Sequence, residues 1–109
     1  MKSNEVWQME HSPAKVMSRN FARYYEILEN EMVSNEQKQL TKMAFILVNK
    51  RIEKNMNQDE IVKRSGLSKS VVSRMESFNT IPSSITLVKY ASALGMELIL
   101  VDSESIKGF

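Results

Sequence analysis

Four side chains on one short stretch could read a nucleic acid: Lys69, Ser70, Ser73 and Arg74. Over Lys69 to about Ser77 they fall on one face at helical spacing, while Val72 and Met75 fall on the other. Arg74 can fork onto the O6 and N7 of a guanine, the commonest specific pairing of a side chain with a base. Lys69 and Ser70 come first on that helix, directly after Ser68, and Val71 follows them. The bland alternative is a solvated helix face. Other chemistry is poorly provided for. The chain has one histidine (His11), no cysteine and no glycine-rich phosphate loop, and no pair of carboxylates shares an obvious site. Catalysis is therefore not expected, and neither a metal nor a cofactor is implied.

The elements that must position these residues lie between Asn57 and Glu76. Asn57 is an N-cap type residue, and Asp59 and Glu60 put negative charge in the first turn, where the helix dipole favours it. Ile61, Val62 and Ser65 share a face. Gly66 then supplies the left-handed backbone that ends a helix at little cost, Leu67 plugs the corner, and Ser68 caps the second helix. Two short helices about a tight glycine turn form the helix-turn-helix unit, whose second helix enters a DNA major groove.

Gln58, Ile61-Val62, Gly66-Leu67-Ser68 and Val72-Ser73-Arg74-Met75-Glu76 resemble the lambda-repressor-like (XRE-type) helix-turn-helix family. The likeness runs on from Arg51 through Pro82, Leu87, Ala91 and Leu94-Gly95, so it covers roughly residues 40 to 95. Val62 stands where that family usually has alanine. Ser77-Phe78 stands where it commonly has Asn-Gly or Arg-Gly, so the loop after Glu76 must turn without glycine. The resemblance implies an all-α domain in which Gln58 faces a phosphate, Lys69 and Ser70 point at base edges, Ser68 and Ser73 are lesser candidates, and Val71 could meet a thymine methyl. It also sets Asn79 and Thr80 beside the DNA backbone and pairs Arg51 with Glu76 as a structural ion pair.

Charge is distributed in keeping with this. Residues 41–83 carry eight Lys/Arg against four Asp/Glu, whereas residues 1–40 carry five against six and residues 84–109 two against three. The excess positive charge sits where phosphates would be bound. Arg51 also falls on the otherwise apolar face of a long helix from about Glu36 to Asn55, with Leu40, Met43, Ala44, Leu47 and Val48. A charge there demands a partner.

Around this domain, 35–95, lie two accessory segments. Residues 1–34 begin with an aperiodic tail containing Trp7. Ser12-Pro13 then reads as a helix start, with Met17, Phe21, Tyr24, Tyr25, Leu28 and Met32 forming an apolar stripe. The stripe covers its own domain, a second copy or a different protein. A last helix from Ser83 or Ser84 to about Leu94 turns Leu87, Val88, Ala91 and Leu94 inward. In residues 96–109, the run Met96, Leu98, Ile99, Leu100 and Val101 suits a short C-terminal β-strand. Pairing with the same strand of a second copy would make a homodimer; tucking along the first helix is the alternative. No run is long and apolar enough for a membrane span, and the first ten residues lack a signal peptide's apolar core, so a cytoplasmic location is expected.

The layout of helical extension, helix-turn-helix domain and apolar end is similar to HigA-type antitoxins. The resemblance implies a chain that neutralises a partner toxin, usually an mRNA-cleaving ribonuclease, and represses its own operon. Trp7, Phe21, Tyr24, Tyr25 and Leu28 then become candidate toxin contacts. HipB-type antitoxins of kinase-like toxins, and plain phage or host repressors with no toxin, are the alternatives.

Overall fold

A computed structural model describes residues 18–102 and 104. Five helices lie among them: α1 (Ser18–Glu29), α2 (Asn35–Glu53), α3 (Gln58–Ser65), α4 (Lys69–Glu76) and α5 (Ser84–Ala93). Their ends are local chemistry. Ser34 and Gln37 close a capping box on α2, and Asn57 and Glu60 close another on α3. Ser68 Oγ accepts from the Val71 N–H to start α4, and Ser83 Oγ from the Thr86 N–H to start α5. Gly66 ends α3 at φ +77°, with its N–H on the Val62 carbonyl.

Central to the packing is α2, which lies against α1, α4 and α5, while α3 lies against α4 and α5. Phe45, Leu47, Ile61, Val72, Met75, Leu87 and Tyr90 are almost fully enclosed. Each aliphatic side chain so buried contributes about 1.5–3 kcal/mol. Lys54 Nζ donates to the Leu94 carbonyl at 2.7 Å, tying the end of α2 to the end of α5.

In α1 the aromatic stripe turns inward. Tyr24 is buried and stacks on Phe45 at 4.1 Å between ring centres, and Phe78 lies 5.3 Å from Tyr24. Phe21, Tyr25 and Leu28 pack half-buried against the same core. These residues, set down above as candidate toxin contacts, therefore spend most of their apolar surface inside the chain. Trp7, Met17 and the Ser12-Pro13 helix start lie outside the described residues. Met32 leaves the stripe, because α1 ends at Glu29 and its side chain is 90% exposed.

Two further expectations are corrected. There is no strand among the described residues, so Met96 to Val101 do not form one. Gly95 at φ +77° and the Met96 N–H on the Ala91 carbonyl fold the chain back after α5. Met96 and Leu98 pack against the core, whereas Ile99, Leu100 and Val101 stay exposed. A strand needs a ladder partner, and none lies beside this segment among the described residues. On α5, Val88 faces out with Ile85, since Leu87, Tyr90, Ala91 and Leu94 take the buried face.

Candidate nucleic-acid interface

The inner side of α4 is locked by Glu76. Arg51 Nε donates to Glu76 Oε2 at 2.8 Å and Arg51 Nη2 to Oε1 at 2.7 Å. Gln58 Nε2 also donates to Oε1, at 3.0 Å, and the Tyr90 hydroxyl to Oε2, at 2.6 Å. Arg51 Nη1 reaches the Met56 carbonyl at 2.6 Å. One buried carboxylate thus joins α2, α3, α4 and α5, and each of its oxygens accepts two bonds. That satisfaction makes a buried ion pair tolerable here.

Protonation follows from this geometry. Burial alone would lower the pKa of Arg51, but the hydrogen bonds and charge of Glu76, helped by Tyr90, leave it raised. The Tyr90 hydroxyl is pushed far above its ordinary 10.0, first by burial and then by the Glu76 charge and hydrogen bond. The folded chain therefore keeps a proton that the unfolded chain releases. This contribution to stability is whole below the unfolded value and is lost as pH rises above it. Tyr90→Phe should cost about 1.5–3 kcal/mol at neutral pH, as for a bond to a charged group. It should also flatten the fall in stability on the alkaline side. Urea midpoints of both proteins across neutral and alkaline pH check this; parallel curves would rule out the link.

The outer side of α4 is open. Ser68, Lys69, Ser70, Ser73 and Arg74 are exposed, as are Asn79 and Thr80 in the loop that follows. Lys69 Nζ contacts Asp59 Oδ1 at 2.6 Å, with both side chains more than half exposed. Such surface pairs are worth about 0–1 kcal/mol, so Lys69 is easily redirected. Gln58 is placed differently from the rest. Its amide is engaged on Glu76, which makes it a brace between α3 and α4 whatever else it binds.

The loop after α4 turns without glycine by putting Phe78 at φ +58°. A left-handed residue of this size costs about 1–2 kcal/mol, and the burial of its ring holds it there. Arg23 of α1 reaches the same loop: its Nη1 donates to the Ser77 carbonyl at 3.1 Å and to Asn79 Oδ1. Sequence reasoning missed Arg23 and Tyr90. Tyr90 carried a signal, since a hydroxyl on the apolar face of α5 needs a buried acceptor. Arg23 carried none, because no local pattern connects it with a loop more than fifty residues away.

An exposed, basic second helix, braced from behind and held by a glycine turn, is the geometry of a major-groove reader. The helix-turn-helix family model HTH_3 matches residues 47–101, just over half of the chain. The chain belongs to that family. It is a lambda-repressor-like, XRE-type helix-turn-helix protein, and thus a sequence-specific DNA-binding transcription regulator. No curated protein and no solved structure matches it significantly. Among the described residues, no group of His, Cys, Asp or Glu is placed to hold a metal ion. No helix there is long and apolar enough to cross a membrane.

Proposed function

We propose that this helix-turn-helix protein is a homodimeric cytoplasmic repressor that binds a near-palindromic operator and shuts off its own operon. The carrying observation is α4, whose Lys69, Ser70, Ser73 and Arg74 stand clear of the body while Glu76 locks its rear. Phosphate contacts from Gln58, Asn79 and Thr80 supply affinity, and base contacts from Lys69, Ser70 and Arg74 supply specificity. Ser68 and Ser73 add polar contacts at the groove edge. In place of a paired strand, the exposed Ile85 and Val88 of α5, with Ile99, Leu100 and Val101, offer the apolar surface for a second copy. Two copies would set their α4 helices about 34–36 Å apart, in successive major grooves.

The operator is to be selected from a random duplex pool. Arg74→Ala should then cost about 1–3 kcal/mol on the selected site and relax one base position. Equal loss on selected and mixed DNA would sink the base-reading role. Val88→Glu should yield a monomer by sedimentation.

A second layer is neutralisation of a toxin, in the manner of HigA-type antitoxins. It is supported by the outward side of the α1–α2 corner. A cleft of about 260 Å³ is lined there by Tyr25, Leu28, Glu29, Lys38 and Lys42, and Met32 is bare. Deleting residues 1–34 would strip Tyr24 from the core, so point changes are the cleaner test. The tagged chain should capture a ribonuclease-like partner from its host, and Met32→Arg with Lys38→Glu should release it. A kinase-like partner would favour the HipB-type reading, and no partner a plain repressor.

A further inference from the structure

Arg23 sits on α1, outside residues 47–101 that carry the family match, yet it reaches the loop that leaves the DNA-reading helix. Its Nη1 donates to the Ser77 carbonyl at 3.1 Å and to Asn79 Oδ1, and Asn79 Nδ2 in turn donates to Ser77 Oγ at 2.9 Å. The guanidinium carries five N–H donors in a planar fork. The Nε and Nη2 hydrogens of Arg23 have no hydrogen-bond acceptor among the described residues, and Asn79, which the fork holds, is exposed, as is Thr80, the next residue in the chain. Arg19, exposed and one helical turn earlier, adds a second positive charge along α1.

We infer that Arg23 is a further DNA-backbone ligand, by which the N-terminal extension clamps a phosphate beside the Asn79–Thr80 loop. The inference rests on α4 entering the major groove, since a duplex seated there brings a strand over the loop that follows it. A half-spent guanidinium fork suits two oxygens of one phosphate, which it binds bidentately. Its other edge holds the Ser77 carbonyl, at the negative end of the α4 dipole, and fixes Asn79. The extension would thus work in DNA binding itself, alongside its part in the core.

The test measures binding of a mixed-sequence duplex by fluorescence anisotropy over a series of salt concentrations, for the full chain and for Arg23→Gln and Arg23→Lys. Loss of one phosphate contact should make the plot of log affinity against log salt shallower by about 0.9. Arg23→Gln should show that shift, and Arg23→Lys, which keeps the charge, should restore the slope. Melting temperatures set a working temperature at which all variants are folded. An unchanged slope in Arg23→Gln, even with weaker binding, would overturn the clamp and leave a structural cap. Should the unmodified chain bind no duplex at all, the groove-reading assignment falls, and this inference with it.

Discussion

Arg51→Met is expected to destabilise the protein by about 3–5 kcal/mol, the cost of leaving a buried carboxylate without its counter-charge. Glu76 is 4% exposed, and two of its four accepted bonds come from Arg51. The Gln58 amide and Tyr90 hydroxyl remain, but they are neutral and cannot balance a charge. Domains of this kind have about 5–15 kcal/mol of stability in all, so the loss is severe. Adding Glu76→Gln should recover part of it, because no buried charge then remains and the Gln58 and Tyr90 donors keep an acceptor. Urea unfolding of the single and double variants measures the recovery. A single-variant cost below about 1 kcal/mol would mean that the pair carries no weight in holding α4. DNA affinity should fall with stability, because this carboxylate and the apolar contacts around it are the buried links that hold α4 on α2, α3 and α5.

Phe78→Ala should be nearly as damaging, at about 3–5 kcal/mol for an enclosed aromatic ring. The ring lies 5.3 Å from Tyr24 and 6.2 Å from Phe45, joining the loop after α4 to α1 and α2. The position has φ +58°, so glycine would relieve about 1–2 kcal/mol of backbone strain. Ring burial outweighs that relief, and Phe78→Gly should therefore also be clearly destabilised. Calorimetric melting of the two variants decides it. If Phe78→Gly melts with the unmodified chain, the ring is not what anchors the loop.

Much of the domain is legible along the chain because its signals are local. Ser34, Asn57, Ser68 and Ser83 each cap the helix that follows within three residues, and Gly66 ends α3 by its own backbone freedom. The polar and apolar sides of α4 are a matter of period alone, so Lys69, Ser70, Ser73 and Arg74 are found outside and Val72 and Met75 inside. Arg51 announces its need for a partner by standing on an apolar face.

The helix-turn-helix unit and its outward basic face can be read along the chain, since caps, turns and helical period act over three or four residues. Tertiary structure alone decided which surfaces are shared. The stripe of α1 is compatible with covering its own core, a second copy or another protein, and only the placement of Phe45 and Phe78 sends Tyr24 inward. The apolar run after Gly95 has the composition of a strand, but a strand exists only where a neighbour supplies its hydrogen bonds, and Met96 and Leu98 pack on the core instead. Arg23 and Ser77 lie far apart in sequence, and Gln58 could equally face solvent or Glu76. Such pairings depend on how whole helices pack, and helix packing is set by the sum of many contacts that no short stretch of sequence contains.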